Sequence, residues 1–258
     1  MMTSTSSTTV PLSHPSLTPS ITTTTPTTDT EGNEKNNNKK KKHLLLASSG
    51  SVATIKLPNI ITALSTHYPP SSLSIRIILT QSARHFLAGQ SAEQPPVSSL
   101  LSNPNVEAIY SDESEWVQPW TRGADILHIE LRRWADILVI APLSANTLAK
   151  MVYGMADNLL TSVVRAWDTT GEIDGEKKKI LVAPAMNTAM WVHPATGKQM
   201  RVLREEWGGW IEVLPPQERK SLACGDTGSG AMMEWTEIVR VIEERLGLGK
   251  GGEGAEGS

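Results

Sequence analysis

The sequence predicts an α/β fold in which one parallel β-sheet is covered by helices on both faces. Short, uninterrupted apolar segments occur at four places, and their length and branched side chains are typical of strands that are buried on both faces. These segments are His43–Ala47, Ile75–Leu79, Asp136–Ala141 and Ile180–Ala183. Longer stretches with helical spacing lie between and after them, at 51–67, 144–167 and 194–207. Strands that alternate with helices in this way indicate an open parallel sheet.

The composition divides the chain into three parts. Residues 1–42 are rich in Thr, Ser and Pro and end in a run of lysines, so we expect this extension to be disordered. Residues 43–246 have the size of a single domain. Residues 247–258 are rich in Gly and Glu and are expected to form a flexible tail. Within the domain, the polar segments 89–105 and 168–179 are predicted to be inserted loops without a role in chemistry.

Charge and cysteine content exclude several classes of protein. The net charge of −3 provides no overall positive field for binding nucleic acid or an anionic membrane surface. The single cysteine cannot form a disulfide framework or a cysteine-based zinc site, and the histidines have no metal-ligand spacing, so we expect no metal. The chain has no apolar run of the ~20 residues that span a bilayer and no signal-peptide core. We therefore expect a cytoplasmic protein, and the lysine run leaves the nucleus open as a second location.

Polar side chains follow each of the four predicted strands. They occur in Ser48–Val52, Thr80–Ser82, Pro142–Thr147 and Pro184–Thr188. Ligands bind beyond the carboxyl ends of parallel strands, and free N–H groups at helix N-termini bind phosphate. Each cluster alone could be a set of helix N-caps, but four together predict a phosphate-bearing cofactor. The turn at Gly50 lacks the G-x-G-x-x-G pattern of dinucleotide sites, which favours a mononucleotide such as FMN.

Two reactive side chains lie outside these clusters. His128 stands among apolar residues, where a histidine is often a hydrogen-bonded core residue. Cys224 could equally be a small buried apolar residue. Glycines follow it closely, however, and this pattern is typical of a mobile loop that brings a thiol over a bound substrate. Spacing in the sequence does not reveal whether His128 and Cys224 meet.

Six motifs occur in this order along the chain: Gly50–Ala53, His128–Leu131, Ala141–Thr147, Asp157–Leu160, Pro184–Asn187 and Ala223–Asp226. The chain resembles the flavin-containing cysteine decarboxylases, a family that includes phosphopantothenoylcysteine decarboxylases and the halotolerance proteins. The resemblance covers about 43–246 and implies a Rossmann-like (flavodoxin-like) sheet, bound FMN, and a homotrimer with the flavin at the subunit interfaces.

The resemblance also implies a role for individual residues. His128 matches the catalytic base of the family, and Cys224 matches the proton donor on a flap over the substrate. Asn187 matches the ligand of the substrate carboxylate, while Arg133 and Met190 match positions near the substrate. Residues that match FMN contacts are Gly50, Ser51, Val52, Thr80, Ser82, Phe86, Ser144, Ala145, Asn146, Thr147 and Ala185.

The reaction that the resemblance implies is the decarboxylation of 4′-phosphopantothenoylcysteine to 4′-phosphopantetheine in coenzyme A biosynthesis. Loss of CO₂ directly from a cysteine-like Cα would leave an unstabilised carbanion. Oxidation of the thiol-bearing carbon to a thioaldehyde, with hydride transfer to FMN, provides an electron sink. After CO₂ is lost, re-reduction and a proton from Cys224 complete a reaction without net redox change.

A regulatory protein is the alternative. Fungal halotolerance relatives resemble this fold but inhibit a protein phosphatase, and some divide enzyme activity among related subunits. The Ser/Thr-rich extension is similar to that of these relatives. Because His128, Asn187 and Cys224 all occur in this chain, we favour the enzyme. A peptidyl cysteine, the substrate of related decarboxylases, is the second candidate substrate.

Overall fold

Six parallel strands form the central sheet of the computed structural model, which describes residues 40–217, 220–221 and 227–249. In space the strands follow the order β3-β2-β1-β4-β5-β6, which confirms the predicted Rossmann-like (flavodoxin-like) parallel sheet with helices on both faces. A separate antiparallel pair, β7 and β8, joins two short segments near the C-terminal side of the domain. The strands are β1 (Lys42–Ser48), β2 (Leu73–Leu79), β3 (Val106–Tyr110), β4 (Ile137–Leu143), β5 (Lys179–Pro184), β6 (Ile211–Val213), β7 (Lys220–Ser221) and β8 (Thr227–Gly228).

Helices connect the strands, and the three predicted helical stretches are all helical at least in part. The predicted stretch 144–167 consists of two helices, because Gly154 has a left-handed backbone (φ +70°) and the side chain of Asn158 caps a new helix. No helix among the described residues is long and apolar enough to cross a membrane. The helices are α1 (Leu57–His67), α2 (Gln81–Arg84), α3 (Leu127–Trp134), α4 (Ala145–Val152), α5 (Leu159–Arg165), α6 (Thr188–Trp191), α7 (Pro194–Arg201) and α8 (Trp235–Leu246).

The ends of the predicted domain fall at or near the limits of the described residues. Strand β1 begins at Lys42, one residue before the predicted start of the domain, and pairs there with Leu73. Of the extension 1–42, residues 1–39 lie outside the described residues. In the predicted tail 247–258, Gly247 ends α8 and residues 250–258 lie outside the described residues.

Each strand of the sheet centre sends alternate side chains to two separate apolar layers. Leu44 and Leu46 of β1 pack on one side with α1 and α8. Leu45 and Ala47 pack on the other side with α3, α4, α5 and α7. All four are fully buried, and burial of a leucine side chain contributes about 1.5–3 kcal/mol. Burial on both faces explains why these strands are uninterrupted apolar segments in the sequence.

The sheet changes direction between β1 and β4. After β1 the chain winds outward through β2 and β3, and it then returns to pair β4 with the opposite edge of β1, with Leu44 beside Ile137. The connections that leave β1 and β4 therefore diverge and open a crevice at the carboxyl ends of these two strands. Such a crevice is the usual ligand site of an open α/β sheet.

The inserted loop 168–179 has a defined structure that supports helix α3. The carboxylate of Asp168 is buried and accepts four backbone N–H groups, those of Thr170, Gly171, Ile173 and Asp174. These hydrogen bonds, with that from Asp174 foremost, lower the pKa of Asp168 to about 2. The loop in turn presents Asp174 to Arg132 of α3 at 2.8 Å, and both side chains are only 8% exposed.

We predict that Asp168→Asn destabilises the protein at neutral pH and that the difference disappears in acid. The folded-state pKa lies below the ordinary value of ~3.9, so the contribution of the carboxylate to stability is present above that pH and is lost as the pH falls towards 2. Urea unfolding at a series of pH values measures this. The exposed Glu172 of the same loop, changed to Gln, is the control. A constant difference between Asp168→Asn and wild type across the acid range would contradict the prediction.

Candidate functional site

A cleft of about 540 Å³ lies at the carboxyl ends of β1, β4 and β5. Its walls come from the turn after β1, the N-terminus of α4, the segment after β5 and the segment that leads into α8. Eight of the eleven residues predicted to contact the cofactor line this cleft. They are Gly50, Ser51, Val52, Phe86, Ser144, Ala145, Asn146 and Ala185.

The other three predicted cofactor residues stand at the edge of the cleft or behind its wall. Thr80 and Thr147 are buried, and each belongs to the cap of a helix: Thr80 Oγ1 accepts from Ala83 N at 3.3 Å, and Thr147 N donates to Ser144 Oγ at 3.3 Å. Ser82 is exposed and lies directly against Gly50.

Contact with Ser82 explains why position 50 is a glycine. A Cβ atom placed on Gly50 would lie 2.6 Å from Ser82 Cβ and 2.8 Å from Ser82 Oγ. A contact of this length between two Cβ atoms cannot be relieved by rotating a side chain, so the backbone of one turn would have to move. Glycine therefore allows the turns after β1 and β2 to meet at the mouth of the cleft.

A buried hydroxyl holds the ends of β1 and β4 together at the crevice. Ser49 Oγ donates to Pro142 O at 3.0 Å and accepts from Ser144 N at 2.8 Å. Ser144 then caps α4, so the first N–H groups of that helix, at Ala145 and Asn146, lie in the cleft wall without acceptors inside the helix. Such N–H groups, together with the positive end of the helix dipole, form a site for an anion.

Two of the three predicted substrate residues also line the cleft. Asn187 caps α6 through Oδ1, which accepts from Met190 N at 2.9 Å. This leaves the side-chain NH₂ group of Asn187 to donate to a carboxylate in the cleft. Met190 is 45% exposed. The third residue, Arg133, lies elsewhere, on the exposed side of α3, where it pairs with Glu130 at 2.8 Å.

One of the two predicted catalytic residues, His128, does not line the cleft of this one chain. His128 lies near the start of α3, outside the set of residues that line the cleft. Its Nδ1 atom is hydrogen-bonded to the carboxylate of Glu115, which is only 5% exposed. Cys224 lies outside the described residues. In the described part of the chain, no cluster of His, Cys, Asp and Glu could hold a metal ion.

The residues that close the cleft from the C-terminal side are not indicated by the sequence. Gln217 and Met232 are joined by a 2.6 Å hydrogen bond from Gln217 Nε2 to Met232 O, and Gly230 O accepts from Met186 N at 2.9 Å. Trp235 completes this wall, and Lys56, which follows the turn after β1, also lines the cleft. The positive φ of Gly230 (+104°) is the one local feature that the glycine-rich sequence could have indicated.

Comparison with known proteins shows which family the chain matches. Residues 32–247 match the Flavoprotein family. A phosphopantothenoylcysteine decarboxylase of Arabidopsis thaliana is 45% identical over 197 residues, which cover 76% of this chain and 81% of that relative. Other relatives are longer, and the chain spans only 33% of the length of one that is 44% identical over 206 residues.

Two solved structures resemble the chain over most of its length. A mutant PPC decarboxylase complexed with pantothenoylaminoethenethiol is 43% identical, with a TM-score of 0.64 over 79% of this chain and 97% of that one. The FMN binding protein AtHal3 is 42% identical, with a TM-score of 0.64 over 81% of this chain and 99% of that one.

We predict that Gly50→Ala destabilises the protein by about 1–3 kcal/mol, the usual cost of overpacking. Removal of the opposing Cβ by Ser82→Gly in the same chain should restore much of this loss. Gly197→Ala is the matched control, because nothing lies within 4 Å of a Cβ at that helical position and alanine favours helix by up to about 1 kcal/mol. Urea unfolding of the four proteins measures the effect. Equal stability of Gly50→Ala and wild type would show that the two turns do not meet as described.

Proposed function

The chain belongs to the Flavoprotein family, and we propose that it binds FMN and decarboxylates 4′-phosphopantothenoylcysteine to 4′-phosphopantetheine in coenzyme A biosynthesis. The observation that carries this proposal is the common cleft of Gly50, Ser144, Ala185 and Asn187, which come from three different strand ends. The decarboxylases that this chain resembles at 42–45% identity support the choice of substrate.

The residues of the cleft suit a flavin mononucleotide. The N-terminus of α4 offers N–H donors for a phosphate, and the turn at Gly50 and Ser51 forms the opposite part of the cleft wall. Val52, Phe86 and Met232 provide apolar surface for a ring. When bound, FMN supplies a reversible two-electron acceptor, which the loss of CO₂ from a cysteine derivative requires.

The remaining roles fall to side chains of this protein. The NH₂ group of Asn187 binds the substrate carboxylate without neutralising it, so an ion pair does not oppose the departure of CO₂. His128 accepts the thiol proton at Nε2, because Nδ1 is hydrogen-bonded to Glu115. Cys224 donates the final proton. A thiol suits this step since its pKa of ~8.5 when unperturbed keeps it protonated at neutral pH.

We further propose that the active unit is a homotrimer in which two chains share each site. His128 lies outside the cleft of its own chain, so a neighbouring chain has to bring it to Asn187 and the cofactor. The expected trimer supplies this arrangement, and the presence of His128, Asn187 and Cys224 in one sequence allows every interface to be complete.

The test of the function is to purify the protein, record its visible spectrum and assay CO₂ release from 4′-phosphopantothenoylcysteine. A yellow protein that releases flavin on denaturation and forms CO₂ supports the proposal. A colourless protein that takes up no added FMN refutes it. A yellow trimer without decarboxylase activity would instead favour the regulatory alternative.

We predict that His128→Asn and Cys224→Ser stop the reaction at different points. Without His128 the substrate is not oxidised, so adding substrate to His128→Asn should leave the flavin absorbance unchanged. Without the Cys224 thiol, oxidation should proceed and the flavin should bleach, but product should not form. Stopped-flow absorbance separates the two cases, and equal bleaching by both variants would contradict the assigned roles.

We also predict that mixed trimers of these two variants regain part of the activity that each lacks alone. If His128 and Cys224 at one site come from different chains, some interfaces of a mixed trimer contain both wild-type residues. The two variants are co-expressed with a different affinity tag on each, and purification on both tags isolates the mixed assembly. In the control, each variant is co-expressed with itself under the two tags. A monomer in light scattering that still forms CO₂ would rule out the shared site.

A further inference from the structure

A buried carboxylate faces the proposed catalytic base from a different element. Glu115 belongs to the short 3₁₀ segment Asp112–Trp116. Its Oε1 atom is hydrogen-bonded to His128 Nδ1 and accepts from the backbone N–H of His128 at 3.5 Å. The side chain of Glu115 is 5% exposed and that of His128 is 24% exposed. The carboxylate is therefore largely withdrawn from water, while part of the imidazole ring remains accessible.

Withdrawal from water makes the contact with His128 important to the carboxylate. A buried carboxylate requires hydrogen-bond donors in place of water, and the ring and backbone N–H groups of His128 supply them. An imidazole that donates from Nδ1 has its lone pair on Nε2. The same contact therefore selects the ring nitrogen that can accept a proton.

Both partners of this pair are held in place by further contacts. Asp112 accepts a hydrogen bond from Leu159 N at 3.2 Å, which fixes the 3₁₀ segment to the start of α5. On the other side, the buried ion pair between Arg132 and Asp174 anchors α3 one turn beyond His128. Neither element can shift far without breaking one of these two polar contacts, so the positions of Glu115 and His128 relative to each other are well defined.

We propose that Glu115 is a positioning residue for the reaction. It fixes the ring of His128 with the Nδ1 proton directed at the carboxylate, so that Nε2 faces the accessible side and accepts the thiol proton of the substrate. The carboxylate also compensates the positive charge that the ring gains in this step. This role rests on the proposed function of His128 as the base.

The kinetic test compares Glu115→Gln with Glu113→Gln. Glu113 lies on the same 3₁₀ segment, but its side chain is 68% exposed and pairs with Arg84, so it serves as the matched control. Loss of a carboxylate that orients a metal-bound histidine costs about 10–100-fold in activity, and we expect a loss of the same order for the metal-free pair of Glu115 and His128. We expect that loss in the rate of flavin bleaching at saturating substrate in Glu115→Gln, with little change in the apparent substrate affinity. Glu115→Asp, which keeps the charge, should recover part of the rate.

A second measurement does not depend on activity. In ¹⁵N-histidine spectra of the substrate-free holoenzyme, the His128 signals, assigned by their loss in His128→Asn, should show the Nδ1–H tautomer. Glu115→Gln should weaken that preference and Glu113→Gln should not. A wild-type ring protonated at Nε2, or a Glu115→Gln protein that bleaches as fast as Glu113→Gln, would overturn the proposal. If the wild type itself fails to bleach, the proposed function fails, but the tautomer still decides whether Glu115 orients the ring of His128. If Glu115→Gln does not fold, the tautomer in the wild-type spectrum is the deciding measurement.

Discussion

The pairing of β1 with β4 is the constraint on which the rest of this structure depends. It joins strands that are far apart in the sequence and makes the chain leave them in opposite directions. The crevice that results exists only while the two strand ends stay in register. The buried hydroxyl of Ser49, which contacts both Pro142 and Ser144, maintains this register at the point where the cleft begins. An apolar side chain of similar size could fill the same space, and Pro142 O would still accept from the backbone N–H of Ser49, but the N–H of Ser144 would lose its acceptor.

Helix α3 is placed by a different kind of interaction. Few residues of this helix are fully buried, so apolar packing alone fixes it loosely. Its position is instead determined by polar groups that cannot remain buried unpaired: Arg132 with Asp174 of the inserted loop, and His128 with Glu115. The loop depends in turn on Asp168. The sequence predicts that segment 168–179 is an inserted loop without a role in chemistry. In the structure it helps to position α3 and thereby His128, the proposed catalytic base.

The sequence predicted those parts of the structure that depend on local patterns. The four buried strands are uninterrupted apolar segments, and polar caps such as Ser144 and Asn187 follow them directly. The strands β3 and β6 were missed because they lie at the edges of the sheet, where β3 is only half-buried and β6 has three residues. Glu115 was missed for another reason. Its partner is thirteen residues away on another element, and nothing in either local sequence indicates that the two meet. The role of Cys224 stays a prediction.

The surface beside the Glu115–His128 pair connects the geometry of the single chain with the proposed assembly. Directly after Glu115, large apolar side chains are exposed on the segment that leads to α3: Trp116 is 70% exposed, Val117 62% and Trp120 54%. Exposed apolar groups that are close together in this way are typical of protein interfaces. A neighbouring chain that covers them would lie beside the Glu115–His128 pair and would help to exclude water from the proposed base. If this face is the one at which two chains share a site, the contact that removes these side chains from water also brings His128 to the cleft of the neighbour, which links the stability of the proposed trimer to its activity.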